Sequence, residues 1–319
     1  MKFLAFFKKW SLPCSLLFGT ICYLLFANIP ILEPIGNIVG PLAAQTMPTI
    51  LFTLLYVTFC KIEINEMQPR LWHFLLQGIR TLLAATFVWL ISLTNDANTK
   101  LLLEGVFICV ICPTAAAAPV VTEKLGGSIG SLTTYTIIAN IFTMVIIPLF
   151  FPMVEKEANI TFIAAALMVL RNVTTVLVVP LLLALLSRKF IPHFVEKIKR
   201  KRNLGFYLWC LNLSIVTGVT IKNITHANVS GMLLVGMLIL PLFVTLVQFA
   251  IGKAVGKPFN ASISAGQALG QKNTVVGIWL TITFLNPLAA VAPGAYVIWQ
   301  NLVNAWQIWY KEKYGKLKF

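Results

Sequence analysis

Charged residues are scarce in this chain of 319 residues: they make up 11% of it, and only 10 residues are acidic. A soluble domain ordinarily carries roughly 25% charged residues. Hydrophobic residues here reach 58%, and a soluble fold of this size has too little interior to hide so much apolar surface from water. The shortage of charge therefore excludes an ordinary soluble domain and indicates a protein embedded in the lipid bilayer.

Groups that perform acid–base, nucleophilic or metal chemistry are also scarce. There are only 3 histidines, and no cluster of histidine with carboxylate and no nucleophile–base pair lies in or beside the apolar runs. Cys109 and Cys112 form a C-x-x-C, but no histidine or second cysteine pair lies near them in sequence. The sequence predicts neither an enzyme nor a metal site nor a cofactor.

The apolar residues form runs of the length that crosses a bilayer, about 20 residues each. Ten such runs leave short loops and no room for a separate soluble domain. The first run lacks a small-residue cleavage site, so we expect a span rather than a removed signal. The expected spans are residues 10–28, 35–60, 70–93, 101–123, 129–153, 160–187, 204–221, 230–252, 261–285 and 288–309.

Lysine and arginine give the expected orientation. The net charge of +15 lies mostly in short loops, which argues against nucleic acid as a partner and for contact with the lipid bilayer. Loops on one side, together with both termini, hold 19 basic residues, and loops on the other side hold 3. This asymmetry predicts a multi-pass protein of the cell (inner) membrane with cytoplasmic N- and C-termini. No obligate protein partner is evident from the sequence.

The expected fold class is an all-α membrane protein whose ten transmembrane helices form two inverted five-helix repeats. Five is an odd number, so the two repeats enter the membrane with opposite orientation. We expect one integral-membrane domain with three parts. Residues 1–187 hold the first repeat (spans 1–5) and span 6, residues 188–203 form a basic cytoplasmic loop, and residues 204–319 hold spans 7–10 and a basic C-terminal tail.

Two spans at matching positions in the repeats should be interrupted. The fourth carries Pro113 and Pro119, and two prolines so close together are incompatible with an unbroken helix. The ninth carries a polar segment, 266–274, with glycine, amide and ammonium groups that lipid would not accept. Paired interruptions of this kind point to a binding site near the middle of the bilayer.

At these segments the sequence resembles the bile-acid/sodium symporter family. The family's fourth span carries Cys-Pro-Gly-Gly-Thr-Ala-Ser-Asn, of which Cys112 and Pro113 match. Its ninth span carries Glu-Val-Gly-Met-Gln-Asn-Ser, matched by Gly270 and Asn273, with Thr274 for the serine. The family's Trp-His-Asn in span ten corresponds to 299–301, where Asn301 is retained. The resemblance implies panel and core domains, crossing broken helices 4 and 9, alternating access, an organic-anion substrate and usually two sodium ions.

The departures from the family pattern affect the sodium ligands. The Ser-Asn pair of span four corresponds to Ala118 and Pro119, a serine of span five to Leu132, and the shared acid of span nine to Ala268. A neighbouring amide ligand of the family corresponds to Lys272. Because sodium needs several oxygen donors, and an ammonium repels it, we predict that the family's sodium sites are absent.

Lys272 is the leading candidate for a functional residue. Its ammonium would occupy the space that the family gives to sodium and interact with carbonyls at the broken helix ends. A variant of this hypothesis has Lys272 losing its proton during the cycle, which would couple transport to protons. The alternative is a lysine that lies shallower and extends to the interface.

Two other cations lie within spans, and a charge there is a functional hypothesis by default. Arg80 shares a helix face with Gln77, which corresponds to an amide ligand of the family; the alternative is an arginine that extends to lipid phosphate. Arg171 should lie deep in span six, paired either with Glu104 or with an anionic substrate. Glu104 itself could instead lie at the outer interface beside Lys100.

The leading hypothesis is therefore a secondary active or facilitative carrier of a small or amphipathic organic anion that is not driven by sodium. Cys112 keeps an arsenite-type or inorganic-anion efflux carrier as an alternative, and loss of ion ligands would also suit a membrane sensor without transport. The expected transport core comprises Gln77, Arg80, Cys112, Pro113, Thr114, Pro119, Thr122, Thr136, Arg171, Gly270, Gln271, Lys272, Asn273, Thr274 and Asn301.

Overall fold

The computed structural model describes residues 10–155, 167, 171, 174–201, 203–226 and 229–317. In this part of the chain the secondary structure is helical, apart from one isolated β-bridge. The α-helices are α1 (Ser11–Asn28), α2 (Glu33–Phe59), α3 (Leu71–Leu93), α4 (Ala97–Ile111), α5 (Ala118–Leu125), α6 (Ile129–Val154), α7 (Val179–Phe190), α8 (Pro192–Arg200), α9 (Leu204–Thr225), α10 (Gly231–Gly256), α11 (Ser262–Gly270), α12 (Thr274–Phe284) and α13 (Val291–Tyr314). A π-helix (Thr174–Val178) precedes α7, and short 3-10 helices lie at Ile64–Glu66, Lys257–Phe259 and Pro287–Ala290.

Six stretches of the described chain are helical, long and apolar enough to cross a membrane: α1, α2, α3, α6, α9, and α10 with the 3-10 turn after it. Helix α13 has 24 residues but carries buried amides along one side. Much of the expected span 160–187 lies outside the described residues, so the count of ten spans stays a prediction. The expected loop 188–203 needs correction, because α8 occupies most of it and residues 188–190 still belong to α7.

The expected fourth span is two helices in the structure. Helix α4 ends at Ile111 because Pro113 has no amide hydrogen to continue the helical pattern. Helix α5 then begins at Ala118 with Pro119 in its first turn, a position where a missing amide hydrogen costs nothing. It ends at Gly126, whose φ of 84° is accessible to glycine at little cost. The ninth span is likewise divided, into α11 and α12.

Close approach of helix backbones organises two parts of the fold. Helix α9 packs on α1 and α2, and Gly19 of α1 lies against the main chain of Ser214. Helix α10 packs along α11, where Gly252 lies so near that an added Cβ would be 2.4 Å from the Ala265 carbonyl oxygen. Small residues permit such contacts between membrane helices. The second contact fixes α11, and with it the break that follows.

Buried apolar side chains form several clusters around the two broken helices. One cluster joins α1, α2, α7, α8 and α9 to α5 and α13. A second joins α3, α4 and α6 to α12. A third lies between α3, α5, α6 and α11, next to both breaks. The breaks are therefore enclosed by protein, where main-chain groups freed from helices must find partners within the molecule.

Candidate functional site

The two helix breaks meet and pair through their main chains. Thr114 and Lys272 form an isolated antiparallel bridge. The Ala115 amide donates to the Gln271 carbonyl at 3.1 Å, and the Asn273 amide donates to the Pro113 carbonyl at 2.8 Å. This crossing, residues 112–117 with 271–273, joins α4 and α5 to α11 and α12 and satisfies polar groups that would be costly to leave unpaired in an apolar interior.

Lys272 is enclosed at the crossing, with a relative exposure of 1%. Its Nζ donates to the Val110 carbonyl in the last turn of α4 at 3.0 Å. The Gln300 side chain of α13 binds the main chain of Lys272. It accepts a hydrogen bond from the Lys272 main-chain amide at 2.8 Å and donates one to the Lys272 carbonyl at 3.4 Å. The alternative in which the amine extends to the interface is wrong, because the amine ends on main chain inside the protein.

Arg80 is a second buried cation at the same helix end, also 1% exposed. Its guanidinium donates to the Cys112 carbonyl at 3.4 Å and to the Ala139 carbonyl of α6 at 3.1 Å. The alternative of an arginine that extends to lipid phosphate is therefore wrong. The C-terminal end of a helix carries partial negative charge, so both cations lie where the backbone attracts them.

Two residues that were not predicted from the sequence, Tyr296 and Gln248, complete the helix ends. The Tyr296 hydroxyl donates to the Gly270 carbonyl at the end of α11 at 2.8 Å. The Gln248 amide donates to the Cys109 carbonyl at 3.2 Å and to the Tyr296 oxygen at 3.0 Å. Gln248 is an amide within the apolar run that forms α10, and this feature of the sequence could have indicated a buried polar contact.

The expected threonine and proline residues divide into those at the crossing and those beside it. The Thr114 hydroxyl donates to the Ala268 carbonyl at 2.6 Å, so it belongs to the crossing, as does the Pro113 carbonyl. Thr122 is buried in α5 with a hydroxyl that has no protein partner in the described chain. The role expected for Thr136 stays a prediction; its hydroxyl donates to the Leu132 carbonyl of its own helix.

The remaining expected residues are near the breaks. Cys112 is buried against Gly277, where an added Cβ would be 2.6 Å from its sulfur. Gly270 packs on the Phe249 ring, and Asn273 caps α12 by accepting from the Val276 amide at 3.4 Å. Further positions close to the crossing are Pro119 at the start of α5, Gln271 and Thr274 beside Lys272, and Asn301 on α13, all of them buried.

Three positions that are expected to correspond to the family's sodium ligands lie in one apolar cluster. Ala118, Leu132 and Ala268 pack together with Trp72 and Tyr135. Gln77 is buried on the same face of α3 as Arg80, as expected, and neither end of its amide has a protein partner in the described residues. The side chains from these three positions supply no oxygen atom to this region.

Of the alternatives for Glu104, the structure confirms the one in which it lies beside Lys100, and a contact of Arg171 with an anionic substrate stays a prediction. Arg171 is exposed and is not one of the residues that the crossing brings together. Glu104 is buried, and its ion-pair partner is Lys100 at 3.8 Å, while Lys100 also pairs with Glu155 at 2.9 Å. His73 is buried, with Nε2 3.2 Å from the Ser131 hydroxyl.

A helical chain with several long apolar spans, and with buried cations where two broken helices meet, has the architecture of an integral membrane transporter. The chain belongs to the Sodium Bile acid symporter family, whose model matches residues 48–227, more than half of the sequence. It is therefore a membrane transport protein. The matched region includes α4, its break and α5, and ends before Lys272. Among curated proteins, none matches this chain.

Proposed function

We propose that this protein carries a small or amphipathic organic anion across the membrane by alternating access, without coupling to sodium. In this proposal Lys272, together with Arg80, supplies inside the protein the positive charge that a sodium ion supplies elsewhere in the family. The substrate reaches the crossing from one side of the membrane at a time and leaves on the other side.

The observation that carries the proposal is the position of the Lys272 ammonium. Its Nζ lies 3.0 Å from the Val110 carbonyl, at the negative end of α4. A cation bound there from solution would face the same carbonyl and would be repelled by the ammonium. At an effective dielectric of about 20, two like charges 4 Å apart repel by roughly 4 kcal/mol. The lysine therefore competes with any added cation for this position.

The balance of charge favours an anion. In the part of the chain that the structure describes, neither Lys272 nor Arg80 forms an ion pair with a carboxylate. Main-chain carbonyls carry only partial charge, so positive charges on both side chains would remain uncompensated in an apolar interior. An anionic substrate would supply the missing negative charge.

The apolar cluster supports independence from sodium. Ala118, Leu132 and Ala268 contribute only methyl and methylene groups at positions where the family has oxygen ligands. A hard cation stripped of water needs several oxygen contacts. A proton is the alternative coupling ion, taken up and released by Lys272 itself, and no cofactor is needed in either cycle.

We also propose the architecture that alternating access needs. Spans 1–5 would be α1, α2, α3, the α4–α5 pair and α6; the second repeat would end with α9, α10, the α11–α12 pair and α13. The interruptions fall in the fourth member of each repeat, which supports an inverted pair. The basic residues favour the inner membrane of a cell with both termini in the cytoplasm.

The test is flux into sealed vesicles that contain the purified full-length protein. Labelled organic anions of different size are offered with a sodium gradient, with a proton gradient, or with neither. We expect anion uptake that is unchanged when choline replaces sodium. Uptake that rises steeply with sodium concentration would contradict the proposal.

A matched pair of variants tests the role of the lysine. Lys272→Met removes the buried charge, and we expect at least a tenfold loss of flux. Lys257→Met changes an exposed lysine in the 3-10 turn after α10, and we expect wild-type flux. Equal flux in the two variants would show that the charge of Lys272 is not required.

A further inference from the structure

Buried amide side chains line the contact between α11 and α13. This amide seam comprises Gln267, Gln271, Gln300, Asn304 and Gln307, each at most 3% exposed. Residues 300, 304 and 307 are spaced by four and three, so they share one face of α13. The seam begins at the crossing and continues along α13 towards the C-terminal end of the helix.

The two ends of the amide seam are fixed by hydrogen bonds. At one end, Gln300 holds the main chain of Lys272. At the other end, the Gln267 amide donates to the Gln307 oxygen at 3.1 Å. The Gln271 amide donates to the Gln267 oxygen, which continues the chain of contacts. The ends are therefore occupied, and their side chains are held in place.

The middle of the seam is not satisfied by the protein. Asn304 lies between Gln300 and Gln307 on the helix face, and neither its Nδ2 nor its Oδ1 has a protein partner in the described residues. The Oε1 atom of Gln271, which lies between Lys272 and Gln267 in sequence, has none either. Native proteins seldom leave buried amide atoms without a partner, so these atoms require one from water or from a ligand.

The unpartnered atoms specify the chemistry of a ligand. Two oxygen atoms accept hydrogen bonds and one amide nitrogen donates, so the complementary group must donate as well as accept. A carboxylate only accepts, and the two oxygens would repel it. An ammonium group would be repelled by Lys272 and Arg80. A carboxamide, with two N–H donors and a carbonyl oxygen, can pair with all three atoms, and a hydroxyl, with one donor, can pair with the nitrogen and one of the oxygens.

We propose that the amide seam recognises a neutral hydroxyl or carboxamide group on the transported anion, and so determines specificity. The inference rests on the proposed function, because the proposed function places the anionic end of the substrate beside Lys272 and Arg80. Asn304 lies one helical turn from Gln300, about 6 Å along α13 at 1.5 Å per residue. The preferred substrate is thus an organic anion with a hydroxyl or amide group a few bonds from its charge.

The experiment compares butyrate, 3-hydroxybutyrate and succinamate, which share a carboxylate and differ in the neutral group. Binding to the purified full-length protein in lipid nanodiscs is measured by titrating the thermal unfolding temperature. We expect wild-type protein to bind 3-hydroxybutyrate or succinamate at least tenfold more tightly than butyrate. Asn304→Leu should reduce this preference to less than twofold while butyrate affinity stays within about threefold, because only the polar contact is lost.

Two further variants make the result decisive. Gln271→Met removes the second unpartnered oxygen and should lower the preference even if Asn304→Leu does not fold. Asn140→Leu removes a buried amide of α6, whose nitrogen donates to the Thr136 carbonyl, and should keep the wild-type preference.

The seam proposal is overturned if wild-type protein binds all three anions equally, if none of them binds, or if both seam variants keep the preference. The vesicle flux assay tests the proposed carrier function separately, since transport of anions without any preference for polar groups would support the carrier and refute the seam.

Discussion

Ala268 lies in the last turn of α11 and Lys272 lies just after it, and in the proposed function these two residues determine whether the crossing accepts a free cation. Replacing both, as Lys272→Gln with Ala268→Glu, removes the ammonium and adds a carboxylate, which returns oxygen ligands to the crossing. We expect sodium to stabilise this double variant, with an unfolding temperature higher in sodium chloride than in choline chloride. The wild-type protein should unfold at the same temperature in both salts.

The single variant Ala268→Glu is the control for this prediction. Its carboxylate lies close enough in sequence to Lys272 to pair with it, so no vacancy for sodium arises, and its unfolding temperature should not depend on the cation. If the unfolding temperature of the double variant is the same in sodium chloride and in choline chloride, the main-chain carbonyls of the crossing are not available to a bound ion.

Single residues differed in how well their positions in the fold could be predicted from the sequence. Lys272 could be identified because an ammonium and two flanking amides stand out in an apolar run, and Pro113 and Pro119 exclude a continuous helix. The partners of Arg80 could not be identified, since they are main-chain carbonyls that any sequence provides. The exposure of Arg171 and the burial of His73 depend on packing between distant segments, which a local pattern does not encode.

At the scale of the element, α10 and α11 touch at a glycine, and this contact can be tested. Gly252→Ala would put a Cβ 2.4 Å from the Ala265 carbonyl oxygen, so the helices must separate. We expect a loss of about 1–3 kcal/mol in the free energy of unfolding, the usual cost of overpacking. Chemical denaturation of the purified protein measures it.

Gly78 of α3 provides a matched substitution in a helix interior. An added Cβ there has no neighbour within 4 Å, and alanine favours the helix by roughly 0.5–1 kcal/mol over glycine. Gly78→Ala should therefore be neutral or slightly stabilising. If Gly252→Ala behaves in the same way, the close contact between α10 and α11 is not needed for the fold.

The C-terminal end of α5 is tied to two other helices by charged side chains. Lys61, just after α2, pairs with Glu123 at 3.0 Å, and Lys311 of α13 donates to the Lys124 carbonyl at 2.9 Å. We expect Lys61→Glu to change anion flux at least threefold, because a repulsive pair would separate α5 from α2. The reversed pair, Lys61→Glu with Glu123→Lys, should restore wild-type flux in the vesicle assay.

The stability of these variants separates an effect on motion from an effect on folding. A partly exposed ion pair contributes only about 0–1 kcal/mol, so neither variant should unfold at a markedly lower temperature. Loss of flux that the reversed pair does not recover would mean that the charges act individually and do not link the helices.

At the scale of the whole molecule, the distribution of basic residues predicts which ends lie in the cytoplasm. Lys313, near the C-terminal end of α13, and Lys222, in the last turn of α9, are both exposed and should face opposite sides of the membrane. Each is replaced by cysteine in a background without Cys14 and Cys22, and intact cells are treated with a membrane-impermeant maleimide. We expect labelling of Lys222→Cys alone, and of Lys313→Cys only after the membrane is permeabilised.

Permeabilised cells give the control, because both cysteines should then react. Labelling of both positions in intact cells, or protection of both, would contradict the proposed topology.

The sequence predicted the helices of the molecule better than their arrangement. Apolar length gave boundaries close to those of α1, α3, α6 and α9, since the bilayer sets a minimum length for a span. The buried faces could not be predicted, because a helix in lipid is apolar on its outer side as well as on its inner side. The amide seam and the apolar cluster at the crossing depend on those faces and became visible only in the structure.

In the proposed cycle, the main-chain pairing at the crossing would keep the Lys272 ammonium attached to the part of the protein that moves. A sodium ion can dissociate after each delivery, but a side chain cannot. In the proposed cycle the anionic substrate neutralises the charge of Lys272 while the carrier is loaded. The charge is not neutralised when the carrier returns without substrate. The membrane potential, acting at about 2.3 kcal/mol per charge per 100 mV, would then influence how fast the unloaded carrier resets, and a voltage across the vesicle membrane would change the turnover rate even with no ion gradient present.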